Sequence, residues 1–186
     1  MFDIHTSLPG KIISWDGKLA VVKPSLPKKL TDGSELTPPQ IVSVPVHFPV
    51  GMGGNAVISV PLKKGDAVTL HFCERSLENW LSGNDVAPDD PRRFDLSDCF
   101  ATPVCRPTQA SCDTENLSLS YGGGSFKIAK NGEITIKTPK FTVNGKTILN
   151  GDTATTGKLT NNKKDVGSGH KHNGIAKGVS NTGEPI

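Results

Sequence analysis

Several things are scarce in this 186-residue chain, and each scarcity narrows its class. No apolar run approaches the roughly 18–20 residues that span a bilayer as a helix. The start, Met1-Phe2-Asp3-Ile4-His5, has no basic stretch leading into an apolar one, so a soluble chain without a signal peptide is expected. Charge of one sign is also lacking, since 21 basic residues against 18 acidic leave only +3, and the like-charge repulsion that keeps many chains unfolded is absent. Aromatic residues make up 5%, too few for the stacking platforms of a single-strand nucleic-acid groove. The four cysteines, Cys73, Cys99, Cys105 and Cys112, show no C-x-x-C spacing. Two readings stay open for them, reduced thiols and a weakly supported zinc site. Finally, the hydrophobic fraction is only 34%, while glycine (20) and proline (14) are abundant. A chain so poor in core residues is expected to form β structure that completes its core in company.

Short β pieces fill the first part, about residues 1–108. Gly10 to Asp16 leads through Gly17 into Leu19 to Val22, the pattern of a hairpin. Residues 24–39 carry four prolines and predict an exposed excursion. Strands are predicted at 41–46, 56–60 and 67–72, with a turn at Lys63-Lys64-Gly65-Asp66. Within 74–81, Leu77, Trp80 and Leu81 fall at i, i+3 and i+4, which predicts a short helix ending at Gly83 and plugging one end of the sheet. A last strand is expected near Cys99 to Val104. Four to five strands with one capping helix fit a small Greek-key barrel of the oligonucleotide/oligosaccharide-binding (OB) type.

From about residue 113 the apolar residues alternate: Leu117, Leu119 and Tyr121; Phe126 and Ile128; Ile134 and Ile136; Phe141 and Val143; then Ile148. Turn signals separate these pieces at Gly122 to Gly124, Asn131-Gly132, Pro139, Asn144-Gly145 and Asn150-Gly151. A sheet of such short strands has one apolar face and open edges, so by itself it is marginal. Three copies wound about one axis would bury the alternate apolar residues and pair every edge; a single-chain β domain or solenoid is the other reading. The expected fold class is therefore all-β. It comprises an OB-fold barrel over 1–109, an intertwined trimeric β-helix needle over 110–160 and an apex over 161–186.

Beyond Gly151 the side chains become small, which fits either a narrowing fibre or a flexible tail. The segment Gly169-His170-Lys171-His172-Asn173-Gly174 separates the two. In extended chain, i and i+2 face one side, so His170 and His172 present two imidazoles together. A lone pair of this kind is ordinarily solvated. On a threefold axis it becomes six nitrogens in two layers, an octahedral set that disfavours four-coordinate zinc. The expected cofactor is one iron(II) ion per trimer, held by His170 and His172, with biological availability deciding among the metals that imidazole suits. His5, His47 and His71 are isolated and read as structural.

These features together resemble the central, membrane-piercing spike proteins of contractile-tailed bacteriophages and prophages. Val44 to Pro49 with Lys63 to Asp66, Phe72 to Leu81 and Arg93 to Asp98 are similar to the OB-fold domain of such spikes. Gly169 to Gly174 followed by Asn181 to Pro185 is similar to their apex, where an H-x-H pair from each of three chains holds iron. The resemblance implies a homotrimer whose N-terminal domain seats on the tail hub of the baseplate, with the bacterial outer membrane as target and the virion as location. It implies no enzymatic activity: Asp89 and Asp90 sit in a polar loop without an acid–base partner, and six protein ligands leave a metal no open position. The competing reading is a glycan- or nucleic-acid-binding OB module on a trimeric stalk, which the near-neutral first 109 residues disfavour for nucleic acid. From residue 110 on, ten Lys/Arg against six Asp/Glu give a mildly basic needle that suits an anionic surface or is simply solvated.

Overall fold

A computed structural model describes residues 6–168 together with His170, Lys171, Gly174 and Gly178. Nearly all regular structure is β, as expected. The chain divides into two compact units, one ending at Thr114 and one beginning at Glu115.

In the first unit, strand β1 (Ser7–Trp15) turns into β2 (Leu19–Pro24), pairing Gly10 with Pro24 and Trp15 with Ala20. The turn forms where the sequence places it. Asp16 Oδ1 accepts the backbone N–H groups of Lys18 and Leu19, both at 2.8 Å, and Gly17 adopts φ +99°, which a glycine takes without steric cost. The proline-rich excursion is exposed and folds into a minimal hairpin of β3 (Lys28–Lys29) and β4 (Glu35–Leu36). The chain returns through β5 (Ile41–Pro45), makes a second small hairpin of β6 (Val50–Gly51) and β7 (Ala56–Val57), and continues into β8 (Ala67–Phe72). After helix α1 (Glu78–Leu81) the unit closes with β9 (Cys99–Pro103).

The main sheet runs in the order β5-β2-β1-β8-β9, antiparallel throughout. It curls so far that its two edges touch. Val46, just beyond β5, bridges Ala101 of β9 in parallel, and the His47 N–H donates to the Ala101 carbonyl at 2.8 Å. Inside lie Ile12, Val22, Val44, Val68, Leu70, Cys99 and Ala101, all essentially solvent-free. Gly10 makes the close approach of β1 possible, because a Cβ there would meet Val22 Cγ1 at 2.8 Å and Leu70 Cδ1 at 3.4 Å.

Two local expectations are corrected. The segment 56–60 adds no strand to the main sheet; only Ala56 and Val57 are β, in a separate ladder, and Val57, Ile58 and Val60 are exposed. The helix is a single turn with no buried residue, so it does not plug the sheet. Instead, Trp80 lies edge-on against Phe100 of β9 at 5.3 Å and 81°. Four residues cannot carry a full amphipathic face, and Gly83 at φ +84° ends the turn.

The second unit contains a meander of β10 (Leu117–Tyr121), β11 (Gly124–Ile128) and β12 (Ile134–Lys137), then a hairpin of β13 (Thr160–Asn161) and β14 (Lys164–Asp165). Strands expected around Phe141–Val143 and Ile148 are absent from this single chain: residues 138–159 contain none. An extended segment becomes a strand only when another backbone pairs with it, and among the described residues none does so.

Candidate functional site

The meander's register gives the second unit two unlike faces. Leu117 lies opposite Ile128 and Ile128 opposite Ile134; Leu119 lies opposite Phe126 and Phe126 opposite Ile136. Directly opposed residues share a face, so these six side chains form two apolar rows on one side. The rows of the other face read Ser118, Lys127, Thr135 and Ser120, Ser125, Lys137. Among the described residues none buries the apolar rows. Leu117, Leu119 and Ile134 are 71%, 66% and 59% exposed, and Phe141, Val143, Ile148 and Leu149 farther along are also exposed. Six apolar side chains in register, the outer ones open to solvent, mark an interaction surface.

Farther along, the β13–β14 hairpin builds a compact platform for His170. Asn162 and Lys163 occupy the turn at φ +46° and +66°, the twist that two-residue hairpins favour. Val166 N–H then returns to the Leu159 carbonyl at 2.9 Å, and Asp165 Oδ1 accepts the Gly167 N–H at 2.9 Å. The Gly167 carbonyl in turn accepts two bonds from His170, from its backbone N–H at 3.1 Å and from its ring Nδ1 at 2.7 Å. Because a carbonyl oxygen only accepts, Nδ1 is the donor in this contact. His172, the second expected ligand, lies outside the described residues, as does His5. His47 and His71 sit in or beside the main sheet, consistent with structural roles.

In the first unit the charged residues form a network that sequence reading missed. Asp98 is buried and accepts from Leu77 N–H at 2.8 Å, Arg92 Nε at 2.6 Å and Arg92 Nη2 at 3.2 Å. Arg92 also grips Asp90 at 2.9 Å, and Glu78 Oε1 accepts the backbone N–H groups of Asp89 and Asp90 at 3.2 Å each. Hydrogen bonds donated to the Asp98 carboxylate raise the Arg92 pKa further above its already high value, while bonds from the Arg92 backbone and side chain lower that of Asp90. Asp89 and Asp90 are thus fasteners of the loop between β8 and β9. In the sequence they are only polar residues in a proline-containing stretch, and no spacing rule links Asp98 to Leu77.

All four cysteines are free, and among the described residues no cluster of three or more His, Cys, Asp or Glu forms. Burial pushes the Cys99 thiol up to about 12, whereas Cys105 and Cys112 are exposed. The stability consequence has a definite sign. In the unfolded chain Cys99 ionises near its ordinary value, so its burial contributes fully below about pH 9 and progressively less toward pH 12. By pH 10 the protein should lose about 1.4 kcal/mol of unfolding free energy to Cys99, and Cys99→Ala should flatten that slope in denaturant titrations, leaving the part that Cys73, also raised by burial, contributes.

Residues 8–104 match the family model described as the phage protein Gp138 N-terminal domain. No curated protein matches the chain. The matched segment coincides with the curled sheet and its connecting loops.

Proposed function

This chain belongs to the family of the phage protein Gp138 N-terminal domain, and from that premise we propose that it is the central spike of a contractile tail baseplate, a structural protein that pierces the host outer membrane. A phage structural role and a virion location follow from the family itself. The observation that carries the finer reading is the open apolar face of the β10–β12 meander.

Burying a Leu, Ile or Phe side chain contributes about 1.5–3 kcal/mol, so six per chain supply a driving force that the described contacts within the chain leave largely unused. Three copies about a common axis would turn each apolar face inward, leave the Ser, Thr and Lys face to water, and give residues 138–159 neighbouring backbones to pair with. On this reading residues 1–109 are an OB-type barrel, 110–160 a trimeric β-helix and 161–186 a metal-binding apex. The strand order, with its parallel edge contact at Val46 and Ala101, supports the barrel assignment. The barrel would seat on the tail hub, and sheath contraction would supply the work.

At the apex His170 and His172 would hold one iron(II) ion per trimer. The contact between its ring Nδ1 and the Gly167 carbonyl is the kind of backbone support that a ligating imidazole ordinarily has. Such an ion fixes three chain ends in place and needs no open coordination position. The reading includes no catalytic step.

Sedimentation of the purified chain is expected to give three copies per particle, and elemental analysis about one transition-metal ion per three chains. A monomer at micromolar concentration would overturn both the needle and the metal site.

A further inference from the structure

The loop between β8 and β9 carries a half-exposed tryptophan beside an open cleft. Trp80 is 52% exposed even though Phe100 packs against its ring at 5.3 Å and 81°. An indole has more apolar surface to hide than most side chains, and one left half-open on a fixed loop offers a flat apolar plate to a ligand. The cleft has a volume of about 420 Å³, and its lining includes Trp80, Arg75, Asn79, Asn84, Asp85 and Val86.

Both walls of the cleft are held in place. Asn79 Nδ2 donates to the Ala87 carbonyl at 2.9 Å, and the Asn79 carbonyl accepts the Asn84 N–H at 2.9 Å, so one residue ties the helical turn to the 84–87 segment. The Glu78 carboxylate holds the amides of Asp89 and Asp90, and Asp98 holds that of Leu77. A site built on backbone fixed in this way needs little further ordering when a ligand binds.

The polar groups decide what kind of ligand fits. Arg75, Asn84 and Asp85 have exposed side chains that make no hydrogen bond or ion pair among the described residues. They present a guanidinium, an amide and a carboxylate, all planar, supplying both donors and acceptors with formal charges that cancel. A cleft without net charge does not favour a polyphosphate chain, whose affinity comes largely from cationic groups. A purely apolar ligand would strip water from these groups and give them no partner. A neutral saccharide satisfies both halves of the cleft. Its pyranose ring has an apolar C–H face for the indole, and its adjacent hydroxyls, each both donor and acceptor, suit the three planar groups.

We infer that this cleft is a binding site for a neutral oligosaccharide, with Trp80 as the stacking platform and Arg75, Asn84 and Asp85 as the groups that take its hydroxyls. The inference goes beyond the spike reading and depends on neither the trimer nor the metal.

The test uses the full-length 15N-labelled chain. Its two tryptophans give two indole N–H signals, one from Trp80 at the cleft and one from Trp15 beside Phe48, told apart by Trp80→Phe. Maltotetraose, cellotetraose and tetra-N-acetylchitotetraose are titrated to about 10 mM, enough to populate a site of millimolar affinity, with tetrathymidylate as the polyphosphate comparison. At least one sugar should move the Trp80 signal and leave that of Trp15 in place. Read from the amide signals of residues 84–87, Trp80→Ala should weaken binding of that sugar about tenfold or more. Asn84→Ala and Asp85→Ala should each weaken it about 2–10-fold, and Trp80→Phe, which keeps a ring, should fall between Trp80→Ala and the wild type. An unchanged Trp15 signal in Trp80→Ala shows that the first unit is still folded. If no sugar moves the Trp80 signal, or if Trp80→Ala binds as tightly as the wild type, the site is wrong. If tetrathymidylate binds in preference to every sugar, the cleft is a nucleic-acid site and the saccharide assignment is overturned.

Discussion

If the chain trimerises through its apolar face as proposed, Phe126→Asp should convert the particle from three chains to one. Phe126 lies in the middle strand of the meander, opposite Leu119 on one side and Ile136 on the other, so it is the centre of its apolar row. In a threefold arrangement every substitution appears three times around the axis. Losing three Phe burials costs about 5–9 kcal/mol, and three carboxylates brought together without partners add a further penalty. Together these exceed what a marginally stable assembly can lose. Sedimentation equilibrium reads the outcome. The control is Lys127→Asp, one residue away on the polar face opposite Ser118 and Thr135, which should leave the assembly intact. If Phe126→Asp remains trimeric, the apolar face is not the axis; if Lys127→Asp dissociates as well, the faces have been assigned the wrong way round.

Asp98→Ala should lower the melting temperature of the first unit more than any other single charge removal. The Asp98 side chain is only 4% exposed and receives three hydrogen bonds, two of them from Arg92. Its loss leaves the Leu77 amide without its acceptor in a confined place and leaves Arg92, about one-third exposed, with Asp90 as its partner. Leaving a buried donor without its acceptor costs about 1–3 kcal/mol, and in a domain of this size that corresponds to a drop of roughly 5–15 °C. Asp98→Asn, which keeps an oxygen for Leu77, should lose less. The surface pair Arg93–Glu74, 3.4 Å apart and more than half exposed on each side, provides the contrast, since Glu74→Ala should leave the transition unmoved. Scanning calorimetry separates these outcomes. Equal transitions for Asp98→Ala and Glu74→Ala would mean that the loop between β8 and β9 is held by its backbone alone.

Much of the first unit is legible in the sequence because short-range chemistry writes it plainly. Asp16-Gly17 announces a turn, alternating β-branched residues announce β1, β2, β5 and β8, and four prolines keep the 24–39 excursion out of the main sheet. The failures come where local pattern and tertiary context diverge. Residues 56–60 read as a strand by composition, yet only two of them find a pairing partner. The helical spacing of Leu77, Trp80 and Leu81 is real, but the chain commits a single turn to it, and Trp80 packs on Phe100 instead of entering the core. The Asp98 network is invisible in the sequence because its members are separated along the chain and meet only when the loop folds back on β8.

In the second unit the period-two alternation from Leu117 to Ile136 determined by itself that one face would be apolar, because successive side chains in a strand must point to opposite sides. The H-x-H spacing of His170 and His172 puts two imidazoles on one side of an extended chain, but it marks a ligand pair only together with a threefold axis. Tertiary structure decided what sequence could not. The strand register put Leu119, Phe126 and Ile136 side by side on one open face, and the turn after β14 put the Gly167 carbonyl against His170 Nδ1. Alternation is a property of each strand alone, whereas register and the contact between Gly167 and His170 depend on which groups meet, and those meetings exist only in the folded chain.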